Sequence, residues 1–397
     1  MTKYTHINAT NPLLIHGIKS DLTAHLPHLV PDLGKEVAAT VPEKIGLCED
    51  WTEIVLLPKM LEMVTLASGY VFIGPELSRR PEYMDATINF SVNAFGAADS
   101  LKQWPAILRR LAAGFLDSRV LRLREQRKSI IQFLAPHIEQ RKALRTQGAE
   151  DAPKDMLQWF VNKAPKFNQD TIPDLAALQS GLGIVAIHTT ANTATHILFD
   201  ILASCPEIIP ELRQEIYSVL EANGGCYSAK ALNQMKLMDS VMKESQRLNP
   251  LILSSFRRRL LKPVTLSNGV VLPQGVWVAS GLINTTRDEA YFEEPNSFNP
   301  YRFMDLRSGK AKDPLNYGNK EENQSFGYGR HSCPGRFLAA TEIKLILAET
   351  LTNYDIRLPD GVKERYQNIR TGDLINPDPS KSILFKKIDK SLKRVGL

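Results

Sequence analysis

"FGYGRHSCPGRF", residues 326–337, holds one cysteine, three glycines and a proline, and runs directly into an apolar helical pattern. Cys333 precedes Pro334, and proline is favoured at the first helical position, so the cysteine is expected at the N-cap of a helix from Pro334 to about Leu351. At that place the helix dipole and unpaired N–H groups stabilise negative charge, which predicts a thiol with a lowered pKa. Gly327, Gly329 and Gly335 allow a tight turn and a close approach of backbone to a flat or bulky group. A thiolate held this way suits a nucleophile, a zinc ligand or the axial ligand of a haem iron. His331 lies two residues away, but no hydrolase signature surrounds the pair, and together they supply two of the four ligands zinc wants. An inert buried cysteine is the commonest fate of a lone Cys. On the loop alone the alternatives stay open.

Working outward, the period of the apolar residues changes along the chain. Residues 20–165 read as successive amphipathic helices, with apolar positions spaced by three and four. From Asp170 or Thr171 a longer helix is expected, with Pro173 in its first turn and its end before Pro206; its middle is apolar on nearly every face. Helices over 206–222 and about 230–248 follow. "KPVTLSNGVVLPQGVWVASG" then alternates β-branched residues around Asn268-Gly269, a strong hairpin signal. An irregular polar stretch over about 304–325 leads to the cysteine loop. The expected class is mainly α with small β-sheets, in one domain over residues 1–397.

Three other features bear on the cysteine. "KESQR" places Glu244 and Arg247 on one helix face, and "FNPYRFM" puts Arg302 in an irregular stretch from which it can close on Glu244 as a buried three-residue network. "AIHTT" (186–190) sets three polar residues in an apolar segment beside Gly181 and Gly183. Buried hydroxyls usually bond back to the carbonyl four residues earlier. Three in succession suggest a cavity holding water or ligand.

The 397 residues are 43% hydrophobic with a formal charge of +6. Basic residues concentrate in "RVLRLREQRK" (119–128) and "KKIDKSLKR" (386–394), without the interleaved aromatics of a nucleic-acid surface, so nucleic acid is not an expected partner. Cys48, Cys205, Cys226 and Cys333 are widely spaced with no secretory signal, which argues for a reducing compartment. No segment reads as a membrane span.

Phe326-x-x-Gly329-x-His331-x-Cys333-x-Gly335, Glu244-x-x-Arg247, Pro300-x-Arg302-Phe303 and the long helix with Thr189, in this order, resemble the haem-thiolate monooxygenases of the cytochrome P-450 superfamily. The resemblance extends to a filamentous-fungal branch of secondary metabolism that contains ent-kaurene oxidase-like enzymes. It implies haem b (iron protoporphyrin IX) with Cys333 as the axial thiolate, whose electron donation favours O–O cleavage. Phe326 and Gly327 would pack on the thiolate side, and His331 would stand where most members direct an arginine at a haem propionate. Arg257 or Arg258 would reach a propionate. Glu244, Arg247 and Arg302 would form a structural network. Thr189 would organise water and proton delivery, with His188 where an acid is usual. Val185, Ala186 and "LILSSF" (251–256) would line the substrate side.

The resemblance further implies a small hydrophobic terpenoid or meroterpenoid-like substrate, O2, and electrons from NADPH through a cytochrome P-450 reductase docking on the cysteine side. The place implied is the cytoplasmic face, peripheral to the endoplasmic reticulum membrane. Measured against the family, the chain reads as N-terminally shortened, without an anchor, first strands and first helices. Two rival readings follow: a haem-thiolate isomerase or dehydratase that needs no reductase, and a shortened non-catalytic remnant.

Overall fold

The computed structural model describes residue 8, residues 10–310 and residues 324–389. Residues 311–323 of the polar stretch and the basic tail from 390 lie outside the described residues. Asn11 starts the first helix: its side chain accepts from the N–H groups of Leu13 and Leu14 at 2.9 and 3.3 Å, with Pro12 at the first helical position. Pro12–His16, Gly17–Leu22 and Thr23–Ile45 run on as one helix, α1, whose middle segment is π-wound. Strand β1 (Thr52–Val55) leads into α2 (Leu56–Ile73), and α3 (Pro81–Gln103), α4 (Ser118–Gln147) and α5 (Met156–Lys163) follow. Asp117 and Asp155 cap α4 and α5 through their carboxylates.

Helix α6 (Ile172–Ser204) is capped by Thr171 Oγ1, which accepts from the Asp174 N–H at 3.3 Å, and Pro173 sits in the first turn. Its 33 residues span roughly 50 Å at 1.5 Å per residue. It packs against α2, α3 and α4, and also against α9 (Lys236–Leu248) and α11 (Arg336–Asn353). Residues 190–202 are buried throughout, as an all-round apolar helix requires.

Helices α7 (Ile209–Ala222) and α8 (Ala229–Gln234) precede α9. The single helix expected over 230–248 is broken at Met235, whose ψ of 78° lies outside the helical region and interrupts the turn. The α9 N-terminus recovers its donors from a side chain instead: the N–H groups of Leu237 and Met238 donate to the Glu215 carboxylate at 2.6 and 2.9 Å.

After α9 come β2 (Ser254–Arg259), β3 (Val264–Thr265), β4 (Val271–Leu272) and β5 (Trp277–Gly281), in antiparallel pairs β2–β5 and β3–β4. Gly269, at φ 85°, makes the expected turn between β3 and β4, where a side chain would be strained. Arg302 is not in irregular chain: Arg302–Ser308 forms α10, closed by Gly309 in the left-handed region. Its first turn gains donors' partners from α9, since the N–H groups of Phe303 and Met304 both donate to Ser240 Oγ at 3.1 Å. Behind α11, β6 (Tyr354–Arg357) and β9 (Ser382–Lys387) join β1 in an antiparallel sheet ordered β1–β9–β6, and β7 (Ile369–Thr371) pairs with β8 (Leu374–Asn376). The fold is mainly helical with small sheets.

The reading that no segment has the length and apolarity of a membrane span overlooks α2, whose 18 residues have a mean hydropathy of 1.4. Its apolar side chains serve the core: 72% of it is buried inside the protein.

Candidate functional site: the cysteine loop and the opening on the long helix

The loop is closed by one short bond, from the Cys333 N–H to the Phe326 carbonyl at 2.7 Å. Gly327 and Gly329 take φ of 75° and 70°, which the chain needs to reverse inside that ring. Ser332 N–H donates to the Gly329 carbonyl at 3.0 Å, and Ser325 Oγ ties the base of the loop to the Gln246 carbonyl of α9 at 3.2 Å. A Cβ added at Gly335 would meet nothing within 4 Å, so open space lies directly beside the backbone there.

Helix α11 begins two residues later than the proline suggested. Gly335 is its N-cap, and Cys333 stands just ahead of it because Pro334 and Gly335 form a turn instead of a first helical turn. The N–H groups of Gly335 and Arg336 still favour the thiolate, as does the Arg336 charge, but burial of the sulfur outweighs them and pushes the thiol up. The expected lowering is therefore corrected: dipole and donors are present, and desolvation is the larger effect. Iron replaces a thiol proton outright, so a costly ionisation in the ligand-free pocket is compatible with a metal-bound sulfur.

Helix α6 leaves one patch near its middle uncovered. Val185 and Thr189, one turn apart, are exposed, although residues 190–202 beyond them are buried. Thr189 Oγ1 donates to the Val185 carbonyl at 2.8 Å and the Ala186 carbonyl at 3.2 Å, leaving its lone pairs to accept. The three polar residues of "AIHTT" do not share this patch, since consecutive helical positions point about 100° apart. Thr190 is buried, and His188 donates Nε2–H to the Ile88 carbonyl of α3 at 2.8 Å, with burial lowering its pKa.

The glutamate and two arginines come together. Arg247 makes a two-pronged contact to Glu244, Nε to Oε2 and Nη2 to Oε1, both at 2.8 Å, and Arg302 Nε lies 3.0 and 3.1 Å from the two oxygens. The remaining guanidinium protons go to the carbonyls of Thr286, Pro295, Glu293 and Ser297. Glu244 is fully buried, and the network pins the chain over 286–302 onto α9.

Arg257 is paired with Asp373, while Arg258 Nη1 donates to the Arg257 carbonyl at 2.8 Å and its guanidinium lies 4.3 Å from the Phe256 ring centroid. Phe256 itself has φ 53°, at a bulge where β2 slips against β5, and is 58% exposed. A left-handed phenylalanine is a strained position of the kind found beside functional pockets. His331 is exposed, and Phe326 is half-buried.

These residues fit a haem. The Cys333 sulfur, with the Gly335 and Arg336 N–H groups beside it, can serve as the single protein ligand to a metal held by a macrocycle. Open space at Gly335 and the uncovered Val185–Thr189 patch leave room for a flat group. A cavity of about 670 Å³ lies to one side: Phe326 and Arg336 line it, but Cys333 and Thr189 do not, and Lys236, Lys243, Arg307 and Lys344 outnumber Asp239, which pairs with the last three, so it is net basic.

Two buried polar groups went unnoticed in the sequence. Asp200 of α6 accepts from Ser245, from Asn249 at 2.9 and 3.1 Å and from Arg365. Glu342 of α11 accepts from Ser68 Oγ of α2 at 2.7 Å, and its second oxygen has no hydrogen-bond partner. A single acid inside "HILFDILAS" or "AATEIKLIL" is the signal, because a carboxyl in an apolar run needs a partner or a proton.

Residues 50–385 match the cytochrome P450 family model. The chain is 34% identical over 394 residues to a cytochrome P450 monooxygenase of Stachybotrys chlorohalonatus, ATR3, covering 97% of this chain and 82% of that protein. It is likewise 34% identical over 391 residues to the cytochrome P450 monooxygenase braC of Annulohypoxylon truncatum, covering 97% and 77%. A cyanobacterial CYP120A1 solved with retinoic acid superposes with a TM-score of 0.72 at 19% identity, over 94% of this chain and 78% of that one.

Proposed function

This chain belongs to the cytochrome P450 family as a monooxygenase, and from that premise we propose that it inserts one oxygen atom into a hydrophobic, terpenoid- or meroterpenoid-like substrate in fungal secondary metabolism, on the branch that includes ent-kaurene oxidase-like enzymes. One atom of O2 enters the substrate and the other leaves as water, with two electrons from NADPH, relayed by a reductase, and two protons. The observation that carries this is a lone cysteine in a glycine-turned loop, with N–H donors beside its sulfur, in a fold whose long helix uncovers Val185 and Thr189.

Cys333 would ligate the iron of haem b, which when bound supplies O2 activation. Phe326, Gly327 and Gly335 shape the loop against it, and His331 and Arg258 are assigned to the propionates. Thr189 holds a water through its free lone pairs while its proton rests on the Val185 carbonyl. His188, which stands where an acid is usual, holds α6 to α3 through the Ile88 carbonyl. Val185, Ala186 and Phe256 present the apolar surface that a terpenoid skeleton requires. The basic 670 Å³ cavity beside Phe326 and Arg336 suits the acidic face of a reductase, on the membrane-peripheral cytoplasmic side. Residues 1–397 act as one domain in this reading.

The test is the visible spectrum of the reduced protein with carbon monoxide. A red-shifted thiolate band in the wild type and its loss in Cys333→Ala is the expected result; no such band in the haem-loaded wild type overturns the reading.

A further inference from the structure

Away from the cysteine loop, a cavity of about 390 Å³ opens where the end of α9 meets the helical turn Leu282–Thr286 and the chain entering β7. Arg287 lines it from one stretch and Arg365 and Arg370 from another, with Asn249 and Asn368 also on the wall, and no residue of 326–337 takes part. Arg365 is fixed: Nε meets the Asp200 carboxylate, Nη2 lies 2.9 Å from His196 Nδ1, and Nη1 donates to the Tyr366 carbonyl and Asn368 Oδ1, each at 2.8 Å. Among the described residues Arg287 is held by one bond, Nη2 to the Leu248 carbonyl at 2.9 Å, and both it and Arg370 reach solvent at the rim.

The charges around Arg287 do not balance. Arg247, Arg365 and Arg370 act on it, with Asp200 as the carboxylate, and this crowding adds to burial in lowering its pKa. Asp200 already accepts from Ser245, Asn249 and Arg365. The Arg247 charge is met by Glu244. Among the described residues, Arg287 and Arg370 thus face one cavity without a carboxylate of their own, and guanidinium forks match the oxygens of phosphate two at a time.

We propose that this cavity binds a free phosphate-bearing solute, gripped by Arg287 and Arg370 with Arg365 as a fixed third cation. A recess between three chain segments suits a small solute. Such an anion joins the end of α9 to β7, and through the Arg365–Asp200 pair it reaches α6.

Inorganic pyrophosphate titrated into the haem-loaded protein at constant ionic strength, followed by calorimetry and thermal unfolding, tests this. Saturable binding with a raised Tm is expected, weakened roughly tenfold or more in Arg370→Gln and in Arg287→Gln as a charge-assisted bond is lost, with the haem spectrum unchanged. Heat no greater than that of a chloride control, or binding undiminished in the variants, overturns it. Arg370 is exposed, so Arg370→Gln decides the matter if Arg287→Gln does not fold.

Discussion

Two regions joined by the Ser325–Gln246 bond are held in opposite ways. Around Glu244 every charge has a partner, with four contacts at 2.8–3.1 Å from two guanidiniums and a fifth from the Asn299 N–H at 3.0 Å. The cysteine loop beside it relies on a few backbone bonds and on glycine geometry, and it leaves space next to Gly335. Burial with full pairing fixes a shape, and sparse bonding keeps a sulfur available. The consequence is a division in which stability and chemistry respond to different substitutions.

The strongest challenge to that division is Glu244→Ala, which leaves two buried guanidiniums unpaired. It is expected to cost about 3–5 kcal/mol, read as loss of folded protein in chemical denaturation; a cost below about 1 kcal/mol would put the network in the same class as a surface pair.

Glu342 is an intermediate case, buried like Glu244 but supplied with one hydroxyl and no cation. Burial pushes its pKa up to about 8. Between the ordinary carboxyl value and about 8 the folded protein keeps a proton that the unfolded chain has released, so stability falls as pH rises through this window and levels off above it. The contribution is complete below about pH 4.5. Glu342→Gln, always neutral, should flatten that slope between pH 5 and 8 in thermal unfolding; an unchanged slope assigns it to other groups.

Cys333→Ala sharpens the comparison from the other side. Its stability change should stay within about 1 kcal/mol, while the carbon monoxide band of the reduced protein vanishes. Smallest in stability is Thr189→Ala, an exposed position, within about 0.5 kcal/mol. Under the proposed role, in which a water bound at Thr189 carries the proton, product formed per NADPH consumed should nevertheless fall by on the order of 100-fold. Equal coupling in the variant would move that role to another residue.

How much of this was legible in the sequence depends on the range of the signal. The long helix announced itself by Thr171, Pro173 and continuous apolarity, and the hairpin by Asn268-Gly269, because caps and turns are local chemistry. The loop boundary was misjudged by two residues, since Pro334 fits a turn as well as a first helical position. The thiol's pKa was misjudged because desolvation depends on what packs over Cys333, which no neighbouring residue encodes. The partners of Glu342 and Asp200 lie on helices far away in the chain, 274 residues for Ser68 and 165 for Arg365. A lone acid in an apolar run signals that a partner or a proton exists, without saying which. The membrane-like apolarity of α2 is ambiguous for the same reason, since a core helix and a spanning one share composition.

The 2.7 Å bond from Cys333 to Phe326 also makes the loop a ruler. It fixes six residues between donor and acceptor, so an insertion anywhere within 327–332 would displace the sulfur relative to α11 even if every named side chain were kept. In amide hydrogen exchange the stretch should therefore look uneven, with a slow proton at Cys333 among the fast ones of an exposed turn.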